Sequence, residues 1–286
     1  MNRDLLIKKM KSINNLPTLP VIALEVNRLL QLYESPTDQL VALLEKDQSL
    51  VVKILRLVNS SFYGLRSKVN SVRHAVTLLG FNTVRNAVVT VAIIDALALK
   101  NILTDFDINS FWKHAIHVAV MGRYIANKTR LASGEDAFTA GLLHDMGKVV
   151  LAAFFQEDLI QILRTMESDR INFFDAEEKI NSCPHNLVGS FLAQRWLLPD
   201  PLIKTIQYHH SKADRSEQTQ LIAIIDISNR LVHMMTGDVG YSLQTEENQE
   251  NDGDSKTIMK CLSNLQNWLP VIHKEMNEAC EFFNKV

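Results

Sequence analysis

The sequence predicts an all-α fold organised as two helical lobes. Apolar residues recur with the i, i+3, i+4, i+7 spacing that places one buried stripe on a helix. The ten glycines and seven prolines of the 286-residue chain fall between those stretches, where they read as punctuation. With 47% hydrophobic residues, the chain has enough apolar material to close a large core without disulfides or metal.

In the first lobe, Val26, Leu29, Leu30 and Tyr33 form one stripe, Val51, Ile54, Leu55 and Val58 a second, and Val72, Ala75, Val76 and Leu79 a third. Ser35-Pro36 followed by Asp38 has the form of a helix start, a capping residue and then a pre-set first helical residue, and Gly80 has the form of a stop. A more apolar helix is expected from about Thr83 to Leu99. The polar stretch from Asn101 to Ser110 separates the lobes, which are placed at residues 1–108 and 109–286. Helices of the second lobe are expected at Phe111–Lys128, Asp136–His144, Lys148–Glu167, Pro184–Trp196, Pro201–His209 and Gln218–Met235. Residues 237–257 are acidic and too poor in apolar side chains to pack, which predicts a mobile loop. The segment Ile258–Phe283, with Leu262, Leu265, Leu269 and Ile272 at spaced positions, is expected to be a last helix folded back on the second lobe.

Composition argues against several function classes. Thirty basic and thirty-two acidic residues leave a net charge of −2, with no block of lysine and arginine to neutralise a run of phosphates, so nucleic acid is not the expected partner. Cys183, Cys261 and Cys280 are odd in number and lack paired close spacing, which suits a reducing cytoplasm. Charges interrupt the first ten residues before a signal-peptide core could form. The apolar stretch Ala87–Leu99 is too short to span a bilayer and contains Asp95, so no membrane association is expected.

The chemistry is expected in the second lobe. In Gly141-Leu-Leu-His-Asp-Met-Gly-Lys148 an apolar helix runs into an adjacent histidine and aspartate. Imidazole and carboxylate are ligands for iron, manganese, nickel or zinc, and an aspartate can bridge two ions where its neighbouring histidine binds one. Lys148 is placed where a cation could receive phosphate oxygens. Asp226 lies in Leu221-Ile-Ala-Ile-Ile-Asp-Ile-Ser, apolar enough that the carboxylate needs a cation or a strong donor. His114 shares a helix face with Val118, Met121 and Ile125, with His117 as its rival, and His185, His209 and His210 are available to a second ion. His74, His233 and His273 have no matching partners in the pattern and read as structural or surface residues.

In order, His114, His144-Asp145 and Asp226 resemble the ligand pattern of the HD superfamily of metal-dependent phosphohydrolases, and the resemblance implies that these four hold metal in an HD-type helical bundle. His185, His209 and His210 look like the additional ligands of the two-metal HD-GYP branch. After His210, however, the chain reads Ser-Lys-Ala-Asp-Arg-Ser-Glu, without that branch's glutamate and Gly-Tyr-Pro element, so hydrolysis of cyclic di-GMP is not implied. Leu16-Pro-Thr-Leu-Pro20, the run Asp47-Gln-Ser-Leu-Val-Val-Lys-Ile-Leu-Arg-Leu-Val-Asn-Ser60 and Ala75-Val-Thr-Leu-Leu-Gly80 are similar to the HD-related output domain, HDOD, over roughly residues 10–235.

That resemblance implies a bacterial signal-transduction protein. Two functions follow as expectations. In the first, one or two divalent ions activate water against a nucleotide or other phosphate ester, with Asp145 and Lys148 as the catalytic side chains. In the second, the protein is a non-catalytic output module that acts by binding a signalling protein.

Overall fold

The protein is described by a computed structural model covering residues 3–13, 15–29, 37–59, 65, 67–99, 102–210, 220–238, 240–241 and 253–283. Among these residues every regular element is an α-helix, as the periodicity predicts. The chain divides into two compact units, the larger comprising residues 1–16, 99–195 and 200–268, the smaller residues 17–98, 196–199 and 269–286.

The smaller unit contains α2 (Val21–Leu29), α3 (Thr37–Leu44), α4 (Gln48–Val58), α5 (Val72–Leu79) and α6 (Phe81–Ala96). Its core is drawn from the expected stripes, with Val26, Ile54, Val58, Val72, Ala75 and Val76 buried beside Val84 and Val88 of α6. Local chemistry explains the long motif around α4. Asp47 caps the helix by accepting from the Leu50 N–H at 3.0 Å. Asn59 clamps the following turn: its amide donates to the Leu55 and Val69 carbonyls at 2.8 and 2.7 Å, and its oxygen accepts from the Val69 N–H at 2.7 Å. Gly80 ends α5 at φ 85° and begins α6, a backbone region that favours glycine. The indole N–H of buried Trp196 donates to the Pro17 carbonyl at 3.0 Å. Leu30, Tyr33 and Ser35-Pro36 lie outside the described residues.

The larger unit holds α1 (Arg3–Ser12), α7 (Ile108–Thr129), α8 (Gly134–Leu143), α9 (Met146–Phe154), α10 (Gln156–Asp169), α11 (Phe173–Lys179), α12 (His185–Arg195), α13 (Asp200–Tyr208), α14 (Gln220–Thr236) and α15 (Gly253–Leu262). The last helix, α16 (Leu265–Phe283), changes unit at Leu269. The helix expected over Lys148–Glu167 is two helices, because Phe155 leaves helical geometry (φ −132°, ψ 47°) while its buried ring joins the core. The expected last helix is likewise two, parted at Ser263-Asn264, and the expected loop already becomes helical at Gly253. Residues 242–252 of that loop lie outside the described residues.

One stretch among the described residues, 134–154, is long and apolar enough to cross a membrane, and 89% of its 18-residue window is buried inside the protein. It is also broken at His144-Asp145, between α8 and α9.

Two glycines let helices approach at that break. A Cβ on Gly141 would stand 2.7 Å from Ala119 Cα on α7, and one on Gly147 would stand 1.9 Å from the His185 carbonyl oxygen on α12. The second contact seats the His144-Asp145 turn directly against the helix that carries His185. Gly147→Ala is therefore expected to cost about 3 kcal/mol or more, because backbone rather than a flexible side chain must move. Chemical denaturation beside the wild type checks this; a loss below about 1 kcal/mol would show that the two helices can separate freely.

Candidate metal centre

Asp145 occupies the N-cap position of α9, yet its carboxylate makes no capping bond. It is instead turned inward, 1% exposed, into a group of imidazoles. Oδ2 faces His144 Nε2 at 3.3 Å, His114 Nε2 at 3.9 Å and Lys148 Nζ at 2.5 Å. Oδ1 faces His185 Nε2 at 3.1 Å and His209 Nε2 at 3.3 Å. His210 completes this second side, its ring centroid 4.1 Å from that of His209 and stacked on Phe174 at 4.8 Å.

The histidines reach this point because each stands at a helix end or on an inward face. His144 closes α8, His185 opens α12, His209-His210 follow α13, and His114 lies on α7. Three of the rings are fixed by their far nitrogen. His144 Nδ1 donates to the Gly141 carbonyl at 2.7 Å and His209 Nδ1 to the Ile206 carbonyl at 2.9 Å. His185 Nδ1 meets Glu177 Oε2 at 2.7 Å, while Glu177 Oε1 accepts the His185 backbone N–H at 2.8 Å. Such contacts select the tautomer that turns a bare Nε2 toward the centre, and they raise its basicity.

Electrostatics are set by burial and by this mutual proximity. Burial pushes the Asp145 carboxyl upward, but His144 and Lys148 outweigh it and hold Asp145 well below the usual carboxylate range. Burial depresses His209 to about 4 and drives His114 and His210 well below the ordinary 6.5. His185 is the exception, since Glu177 and Asp145 overcome its burial and raise it.

These residues fit divalent metal. His114 Nε2, His144 Nε2, His210 Nε2 and Asp145 Oδ1 are buried without a hydrogen-bond partner. Orphaned buried acceptors are costly, and here they converge on one carboxylate. Their ligand atoms form two groups sharing Asp145, one with His114 and His144 and one with His185, His209 and His210, each within 4.8 Å internally. A cation between those atoms supplies the charge that the acceptors lack.

Six of the seven ligands expected from the sequence are thus brought together, and Asp226 is not. Its carboxylate, with 26% of the side chain exposed, pairs instead with Arg230 one turn along α14. Lys148 is buried, and its ammonium lies 4.7 Å from the Phe173 ring centroid.

Two contributors escaped the sequence reading. Glu177 sits on short α11 and bears no periodic relation to His185. His233, read as structural or surface, stacks on His114 at 4.2 Å and on Tyr241 at 3.9 Å, and its Nδ1 meets Asp238 Oδ2 at 2.6 Å. It lies two turns beyond Asp226 on the same helix, a spacing that could have flagged it. Beside it opens a cavity of about 600 Å³ whose lining includes Lys148, Arg170, Phe173, His233, Asp238 and Tyr241.

Glu177→Gln tests the anchoring of His185. It should weaken divalent-ion affinity by about 10- to 100-fold, as loss of such partners does elsewhere. An unchanged affinity by isothermal titration would show that Glu177 only fills space.

A helical bundle that gathers histidines around one aspartate at a helix–helix turn defines an all-α protein with a buried His/Asp cluster of metal-ligand chemistry. The HDOD domain profile matches residues 16–212, and the chain belongs to that family. An HDOD domain protein of unknown function from Geobacter sulfurreducens has the same fold at a TM-score of 0.80, with 27% identity, 98% of this chain covered and 97% of that one. A Shewanella amazonensis SB2B protein, provisionally named a phosphohydrolase, shares the fold at 0.74 with 20% identity, covering 97% of each chain. An uncharacterized protein of Treponema pallidum (strain Nichols) is 28% identical over 231 residues, which are 80% of this chain and 44% of that protein. The chain thus spans less than half the length of this curated relative.

Proposed function

We propose that this HDOD protein is a bacterial signal-transduction protein that works in the cytoplasm and hydrolyses a nucleotide or other phosphate ester at a divalent-metal centre formed by His114, His144, Asp145, His185, His209 and His210. The observation that carries this reading is the convergence of unpartnered buried acceptors on Asp145. Bound iron, manganese, nickel or zinc would supply Lewis-acid polarisation of a phosphoryl group and acidification of water. Asp145 holds the centre through both oxygens, and His144, His185 and His209 are oriented by their Nδ1 partners before any ligand arrives. Lys148 lines both the centre and the cavity, so its ammonium is the group to meet phosphate oxygens entering from that side. Phe173 and Tyr241 wall the cavity with apolar surface that excludes water from the ester.

A second reading is supported by Asp226 standing outside the ligand group: a signalling module that binds metal for structure and acts through a protein partner. Metal analysis of protein purified without chelator or affinity nickel, followed by a phosphatase and phosphodiesterase screen, separates the two. Turnover that disappears on chelation supports hydrolysis. Retained metal with no turnover across the screen favours the partner-binding module, and no retained metal after dialysis against the four ions ends the hydrolase reading.

A further inference from the structure

The two sides of Asp145 are not equivalent, and the difference lies in cations that the chain supplies itself. On the Oδ2 side the Lys148 ammonium already stands 2.5 Å from the oxygen that an ion shared with His114 and His144 would use. An ion arriving there must displace that ammonium from a buried carboxylate. The carboxylate that the sequence offers as a further ligand on this side, Asp226, is occupied by Arg230. A divalent ion at this position therefore meets the Lys148 ammonium as a competitor and has three ligand atoms to gain.

The Oδ1 side is the reverse. Four ligand atoms gather there, from Asp145, His185, His209 and His210, and Oδ1 has no hydrogen-bond donor. His185 Nε2 and His209 Nε2 lie 3.4 Å apart, with Nδ1 of each ring held by Glu177 and by the Ile206 carbonyl. Two imidazole nitrogens and a carboxylate oxygen at such separations are stable when one positive charge is shared among them. A divalent ion supplies that charge without dislodging a lysine, because Lys148 stands on the Oδ2 side.

We infer that the protein binds one divalent ion tightly at Asp145 Oδ1, His185, His209 and His210, while Lys148 acts as a built-in cation at the His114–His144 position and leaves it a second, weak site. This rests on the metal-centre reading above and deepens it by ordering the two positions. It also assigns Arg230 a role, that of holding Asp226 away from the centre.

Titration of the chelator-treated protein with Mn(II), followed by calorimetry and by the free-ion EPR signal, reads stoichiometry directly. Wild type should take up one equivalent, with a second binding about 10-fold or more weaker. His209→Gln should lose the tight equivalent and His114→Gln should keep it. Lys148→Met should strengthen the second equivalent by about 10-fold, and Arg230→Gln should act in the same direction. Two equivalents of equal affinity in wild type would overturn the ordering, as would a tight ion that survives His209→Gln and vanishes in His114→Gln. Should His209→Gln fail to fold by circular dichroism, Glu177→Gln decides, since it must weaken the tight equivalent and not the weak one. An absence of any Mn(II) binding would overturn the metal-centre reading itself, an outcome distinct from equal or reversed sites.

Discussion

Asp145→Asn is expected to abolish retention of divalent metal and, separately, to destabilise the metal-free protein by about 3–5 kcal/mol. Both effects come from one carboxylate serving two faces. Oδ1 and Oδ2 each contact a different set of imidazoles, so no ligand group survives its loss. The stability term has another origin. Lys148 is buried with its ammonium on Oδ2, and the amide leaves that charge inside the protein without a counter-charge. The control is Asp226→Asn, where a partly exposed pair with Arg230 is broken; it should cost about 1 kcal/mol or less and leave metal retention unchanged. Metal analysis and denaturant titration in chelator measure the two consequences independently. An Asp226→Asn protein stripped of metal as completely as Asp145→Asn would return Asp226 to the ligand set.

Chelator-treated protein should lose stability steeply on mild acidification, with its melting temperature falling by about 10 °C between pH 7.5 and 5. The sign follows from where the protons go. In the unfolded chain a histidine takes a proton near 6.5, whereas burial holds His209 and His233 at about 4 and His114 and His210 well below 6.5. As pH falls through 6.5 the unfolded state therefore binds protons that the folded state refuses. The stabilisation is complete above 6.5 and is lost progressively toward the folded values. For His209 alone the interval from 6.5 to about 4 corresponds to about 3 kcal/mol. His185 acts in the opposite sense, because its raised value makes its contribution complete below 6.5 and lost as pH climbs through the folded value. Four depressed histidines outweigh one raised one. A melting temperature that is flat or rising from pH 7.5 to 5 would refute this account of the centre.

Most of the helical architecture was legible because each stripe reports burial on one face, and Val26, Ile54, Val72 and Ile125 are indeed core. The breaks inside long apolar runs were not. Phe155 ends α9 through tertiary placement of its ring, and nothing in the local pattern separates it from a helical phenylalanine. The centre was legible in its residue types, since His144-Asp145 next to Gly147 and Lys148 combines ligands with a residue that permits close approach. The position of Asp226 was not, because its choice between a metal and Arg230 depends on side-chain rotamers that spacing leaves open. Glu177 was equally hidden, as a buried carboxylate on a seven-residue helix rich in acidic side chains resembles a solvated one until its histidine is in view.

The division of the chain has a practical consequence. Because the two units are assigned as residues 1–16, 99–195 and 200–268 on one side and 17–98, 196–199 and 269–286 on the other, the backbone passes between them five times. A fragment ending at Ala98 would keep the Pro17 carbonyl and lose the Trp196 indole that bonds it, along with the stretch from Leu269 onward. Gene fusions, recombination points and expression boundaries placed inside residues 17–268 thus cut through both units at once. For inheritance and for the bench alike, the portable piece is the whole weave.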